Sequence, residues 1–212
     1  IVTTKKLIDE KTLSAFNIKA LVLTYPEAEC KLVKGMNYQD EMDYIVSHTA
    51  RNEFIRDLTL RLKSNTLVLF QYVEKHGKVL HDIISTETDR KVFFVYGGTD
   101  TQTREDIRAI TEKEKDAIII ASYGTFSTGI NIRNLHNIVF ASPSKSRVRA
   151  LQSIGRGLRR SENKDTATLF DIADDFTYKS KKNFTINHFL ERINIYNEEE
   201  FDYEIHNVKL NK

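Results

Sequence analysis

Cysteine is almost missing from this sequence. Cys30 is the only one in 212 residues, so no internal disulfide can form and the chain reads as a protein of a reducing, cytoplasmic compartment. No apolar run is long enough to cross a bilayer, and the first residues form no apolar leader, so neither a membrane span nor a secretory segment is expected. The six histidines show neither an H-E-x-x-H pattern nor a paired spacing, and no metal site is expected from them. An excess of one charge is also lacking: 32 basic residues face 30 acidic ones, so any nucleic-acid surface has to be local. There is no internal repeat and no low-complexity segment. The phosphate-cradling pattern G-x-x-x-x-G-K-[ST] is absent as well. Gly77-Lys78 is followed by Val79, and Tyr72 stands where the first glycine would be. The chain therefore carries no P-loop lysine. It begins at Ile1 rather than Met, which reads as a fragment or a processed product.

What is present is a run of short apolar segments alternating with helical patterns. Residues 18–23 read as a strand and 26–37 as a loop. One long helix is expected over 38–63, where Met42, Ile45, Val46, Ile55, Leu58 and Leu62 recur at three and four. From Ser64 onward strands are expected at 66–70, 91–96, 117–121, 137–141 and 166–172, with helices at 73–84, 101–111 and 183–197. The acidic stretch 198–208 reads as an edge strand or tail. Alternation of this kind calls for an α/β fold, a mainly parallel sheet covered by helices on both faces. At 212 residues there is material for one good core and a small appendage. The expected division is a leading segment 1–63, a core 64–175 and a C-terminal helix and tail 176–212.

Ligands of open α/β sheets bind beyond the carboxyl ends of the strands. The polar loops fall there: Gln71-Tyr72, Gly97-Gly98-Thr99, 122–131 and 142–146. Gly97 and Gly98 suit either close backbone approach or an ordinary turn. Ser122, Thr125 and Thr128 suit either a phosphate or the cap of the next helix. Asp171, Asp174 and Asp175 follow a strand, but without a P-loop a metal-holding role for them is not expected.

The stretch Gln152–Arg160, QSIGRGLRR, is the sharpest feature. Gln152, Arg156 and Arg159 are spaced by four and three and share one face of a helix. Between Ser142 and Ser161 there are six basic residues, Arg147 and Arg149 among them, and no acid. One reading is a solvated basic helix or a nucleic-acid-binding footprint over 145–160. The other is a pair of arginine fingers, since a guanidinium offers a fixed fork of donors to phosphate oxygens. Two such arginines in a chain with no phosphate cradle point to a site on another domain.

The ordered segments LVLFQY, VFFVYGG, IIIASYGTFSTGIN and QSIGRGLRR resemble motifs IV, IVa, V and VI of the second RecA-like domain of superfamily-two helicases. This resemblance implies a three-layer RecA-like domain, related to P-loop NTPases but lacking its own P-loop. It implies an ATP-driven motor acting as a monomer on branched DNA, including junctions, displacement loops and RNA–DNA hybrids. ATP with Mg2+ would be held mainly by a first RecA-like domain, so this chain alone would not hydrolyse ATP. Arg156 and Arg159 would reach the γ-phosphate, and Gln152 would order them. Gly129 and Asn131 would lie at the cleft near the nucleotide. Gln71, Gly97, Gly98, Ser122, Thr125 and Arg147 would line the DNA backbone path. Asn131 stands where many relatives have aspartate, and Ser122 where many have threonine.

Overall fold

A computed structural model of the chain describes residues 15–125, 134–143 and 166–210. Seven strands form one sheet in the order β3-β4-β2-β5-β6-β1-β7, and every pair is parallel. In chain order the strands are β1 (Ala15–Thr24), β2 (Thr66–Phe70), β3 (Val92–Val95), β4 (Ile118–Ser122), β5 (Asn137–Phe140), β6 (Thr166–Asp175) and β7 (Asp202–Lys209). The helices are α1 (Glu27–Val33), α2 (Tyr38–Ser47), α3 (Thr49–Arg61), α4 (Lys78–Ser85), α5 (Thr101–Lys113) and α6 (Phe184–Glu198). The resemblance's fold is the one observed.

β2 and β4 are buried along their whole length. That is why they read as unbroken apolar runs rather than alternating ones: helices cover both faces of a parallel sheet. One face packs Leu67, Leu69, Ile119, Ile138, Phe140 and Leu169 against Ile107 of α5 and Tyr196 of α6. The other packs Val68, Phe70, Ile120, Val139 and Ile172 against α1 to α4 through Cys30, Val33, Ile45, Ile55, Leu80 and Ile84. β1 belongs to this same sheet, hydrogen-bonded between β6 and β7.

Two local expectations are corrected. The segment 26–37 contains a helix, α1, with Pro26 at its N-cap and Glu27 and Glu29 in its first turn. Pro suits a helix start and acids suit its N-terminus. Only Cys30 and Val33 are buried, too short a rhythm to read as a period. The single helix over 38–63 is two, broken at His48. His48 closes α2 and opens α3: its ring Nδ1 accepts from the Arg51 N–H at 3.3 Å. Asn52 reaches back across the break and donates to the Val46 carbonyl at 3.0 Å. The apolar spacing runs through the break, and no glycine or proline marks it. The helix expected for Gln152–Arg160 lies outside the described residues.

The chain enters α4 through a wide π-type turn, Val73–Gly77, closed by the Gly77 N–H on the Tyr72 carbonyl at 2.8 Å. A β-carbon at Gly77 would lie 2.6 Å from the Phe70 ring, whose side chain is fully buried. Gly77→Ala should therefore cost about 1–3 kcal/mol from overpacking, despite alanine's better helix propensity. Urea unfolding measures this; an unchanged midpoint would show that Phe70 has room to move.

Candidate nucleotide and nucleic-acid interface

The carboxyl ends of β2, β3, β4 and β5 form a rim, and four of the segments singled out by sequence reach it. Gln71 follows β2 and its residue is exposed. Gly97 and Gly98 follow β3, both exposed, in a turn closed by the Thr99 N–H on the Tyr96 carbonyl at 2.9 Å. Nothing lies within 4 Å of where a Gly97 β-carbon would be. At Gly98 the β-carbon would meet the Tyr96 ring at 2.7 Å. Gly97 thus leaves bare backbone open to an approaching group, and Gly98 makes room for an aromatic neighbour.

Ser122 ends β4. Its Oγ accepts from the Thr125 N–H at 3.3 Å and lies 2.7 Å from Thr125 Oγ1. Both residues are buried. The pair caps the turn that begins there, an arrangement that holds the rim in shape. Gly129, Asn131, Arg147, Gln152, Arg156 and Arg159 lie outside the described residues.

What sequence reasoning missed is how the rim is fastened. Ser142, just past β5, is fully buried. The Gln71 N–H donates to Ser142 Oγ at 2.9 Å, and Ser142 Oγ is 2.7 Å from His76 Nδ1. His76 Nε2 is 3.1 Å from Asn52 Oδ1. Because the Asn52 amide nitrogen donates to Val46, its oxygen accepts. His76 Nε2 therefore carries the proton, and Ser142 donates to Nδ1. Tyr123 Oη donates to the Ser142 carbonyl at 3.2 Å. One serine so joins the ends of β2, β4 and β5 to the π-type turn and to α3. Burial first, and then the nearby Arg51 charge, push the His76 pKa well below its ordinary value.

β6 is fastened on both faces. Arg51 of α3 holds Asp174 with Nε at 2.7 Å and Nη2 at 3.0 Å, and Tyr25 Oη donates to the same carboxylate at 2.6 Å. Both ion-pair side chains are fully buried. On the opposite face Arg192 of α6 holds Asp171 at 2.8 and 3.0 Å, and Tyr196 Oη donates to it at 2.6 Å. Desolvation works against the Arg51 charge, but the Asp174 carboxylate outweighs it and the guanidinium pKa is raised. Glu41 of α2, also buried, accepts the Phe184 and Thr185 N–H groups at 2.9 and 2.8 Å. It thereby supplies a carboxylate to the N-terminus of α6. Asp171 and Asp174 were visible as acids following a strand. Their partners lie 21 and 123 residues away, which no local pattern signals.

A seven-stranded parallel sheet with polar loops on its carboxyl rim, in a sequence without a P-loop pattern, is the fold of a RecA-like helicase C-terminal domain. The helicase conserved C-terminal domain family matches residues 50–161, and the chain belongs to that family. It is 37% identical over 99% of its length to the ATP-dependent DNA helicase uvsW of Enterobacteria phage T4, covering 44% of that protein. The crystal structure of T4 UvsW superposes with a TM-score of 0.82, at 35% identity, over 100% of this chain and 43% of that one. The putative ATP-dependent helicase IRC3 of Saccharomyces cerevisiae is 30% identical over 79% of the chain, which covers 24% of it. The second domain of the DEAD-box helicase Mss116p shares the fold, with a TM-score of 0.52 over 89% of this chain and 63% of that one, at 15% identity. The chain spans less than half the length of the curated relatives it matches.

His76 gives a signed pH prediction. A buried imidazole with a depressed pKa stays neutral while the unfolded chain takes up a proton below about pH 6.5. Stability from this group is full above that value and falls as pH drops below it, by at most about 1.4 kcal/mol per pH unit. His76→Gln should flatten that part of the stability–pH curve between pH ~7 and ~5, read by chemical unfolding at each pH. Equal slopes in the two proteins would contradict a neutral buried His76.

Proposed function

We propose that this chain is the second motor half of an ATP-dependent DNA helicase acting on branched DNA, including junctions, displacement loops and RNA–DNA hybrids. The observation that carries this reading is the 37% identity to an ATP-dependent DNA helicase along 99% of the chain. The spacing Gln152, Gly155, Arg156, Arg159 supports it, in a stretch the chain enters from the fastened rim at Ser142.

ATP supplies the phosphoanhydride whose hydrolysis drives the cycle, and Mg2+ neutralises its phosphate charge. The proposal places both mainly on a first RecA-like domain. The donor set favours that placement, because Asp171 and Asp174 are each neutralised by a guanidinium. Among the described residues no group of three His, Cys, Asp or Glu is arranged to hold a metal ion. Arg156 and Arg159 reach the γ-phosphate from this side, with Gln152 ordering them and Gly129 and Asn131 beside the nucleotide. As charge spreads in the transition state the guanidiniums stabilise it, an effect worth roughly 10³–10⁵ in rate for fingers of this kind. The same charge-assisted bonds bridge the two domains while the γ-phosphate is present and weaken when it leaves. The cleft then closes and opens with each turnover.

The DNA path runs along the rim. Gln71, Gly97 and Gly98 offer exposed backbone and amide groups to the sugar-phosphate chain, Arg147 adds charge, and Ser122 with Thr125 holds the rim's shape beneath it. A grip on the backbone without base readout is sequence-tolerant and salt-sensitive. The chain acts as a monomer in the host or cell cytoplasm.

In the protein that also carries the P-loop domain, Arg156→Ala and Arg159→Ala should each lower DNA-stimulated ATP turnover by at least about 10³, with ATP affinity largely kept. Steady-state hydrolysis and nucleotide-binding fluorescence read the two arms. Unimpaired turnover in both variants would end the finger assignment.

A further inference from the structure

β5 ends at Phe140, which pairs with Asp171. β6 runs four residues further, to Asp175, which pairs with Thr24 of β1. At ~3.3 Å per residue this carries the β6–β1–β7 flank about 13 Å beyond the end of β5. On top of that step stands a tight hairpin, Tyr178 to Lys181. Its two ends exchange both backbone hydrogen bonds at 3.0 Å.

The two residues at its tip have left-handed backbone, Lys179 with φ 45° and Ser180 with φ 63°. Such a two-residue turn is cheapest as Asn-Gly, and here it carries a lysine and a serine instead. Strain of this sort is kept where the side chain has a use. Within the segment the charge is of one sign, with Asp175 before it and Glu27 and Glu29 at the far end of α1. Residues 176–183 hold Lys179, Lys181 and Lys182 and no acid, and all three lysines are exposed. α1 brings Lys34 to the same place. Its Nζ lies 5.3 Å from the Tyr178 ring centroid and that of Lys179 lies 5.6 Å from it. Lys181 Nζ donates to the Lys34 carbonyl at 3.1 Å, which docks the hairpin on the end of α1. Among the described residues none of these four ammonium groups makes an ion pair with a carboxylate. Asp175, the nearest acid in sequence, accepts the Thr177 N–H at 2.9 Å.

We propose that this raised basic hairpin is a second DNA-contacting site, with Lys179 and Lys182 binding phosphates of a duplex arm that stands beside the strand on the rim. It rests on the reading of the chain as a DNA motor and extends it to branched substrates: the rim takes one strand, and the step beside it takes the neighbouring duplex. Ammonium groups gathered without carboxylates suit phosphate contacts whose counterions are released on binding.

The test is fluorescence anisotropy of the chain with a forked DNA bearing one duplex arm, and with oligo(dT), across a salt series. Lys179→Ala with Lys182→Ala should weaken fork binding about 10-fold at low salt and reduce the log–log salt slope by about 1.8, two phosphates' worth. Oligo(dT) affinity should stay within twofold. Lys179→Arg with Lys182→Arg should retain fork binding. Lys179→Asn with Ser180→Gly should raise the thermal midpoint by relieving the turn and yet weaken fork binding, a combination that a purely structural hairpin would not produce. Unchanged fork affinity and slope in the alanine pair, with the wild-type chain binding the fork, would overturn the hairpin site and leave the motor reading standing. No binding of either DNA by the wild-type chain would overturn both.

Discussion

Asp174 holds a full negative charge where water does not reach, and Arg51 meets it with two parallel hydrogen bonds. Neither charge is affordable alone at that depth; removing one partner of such a pair costs about 3–5 kcal/mol. The bond therefore obliges α3 to stay on β6. Its counterpart, Asp171 with Arg192, obliges α6 to stay on the other face. Side chains three residues apart on a strand point to opposite faces, so a single short stretch of β6 carries both clamps. β5 and β1, its two neighbours in the sheet, pair directly with this strand.

From that clamp the order propagates by contact. Arg51 and Asn52 are successive residues of α3; the first grips β6 and the second hydrogen-bonds His76. His76 in turn accepts from Ser142, and Ser142 receives the Gln71 N–H. The exposed rim at Gln71 is thus backed by a chain of satisfied bonds running to the buried ion pair. On the proposed function, in which the rim grips DNA, such backing would hold it rigid, because the supporting groups have no alternative partners to relax toward.

Much of the architecture was legible in the sequence. The runs at 67–70 and 117–121 are apolar throughout because both faces of the sheet are covered, and polar residues bound them: Asn65, Thr66 and Gln71 the first, Asp116 and Ser122 the second. The break at His48 was not legible, since the capping group is an imidazole and the apolar spacing continues across it. The π-type turn at Val73–Gly77 reads as ordinary helix. Its signal is Gly77 seven residues after Phe70, and only the packed ring gives that glycine a meaning. At the rim, the strand pattern placed the loops: Gln71, Gly97, Gly98, Ser122 and Thr125 all come to the carboxyl end of the sheet. Ser142, His76 and Asn52 were not found, because their partners are distant in sequence. The raised step was also missed. The extra length of β6 is set by its pairing with β1, a strand more than 140 residues earlier.

On the proposed function this rim serves fuel bound by another domain; the sequence offers Arg156 and Arg159 but no P-loop pattern. The direct measurement is ATP hydrolysis by the 212-residue chain alone, and by the same chain joined to a P-loop-bearing first RecA-like domain, each with forked DNA. No turnover is expected from the chain alone, and DNA-stimulated turnover is expected from the joined protein. Hydrolysis by the isolated chain would contradict that reading.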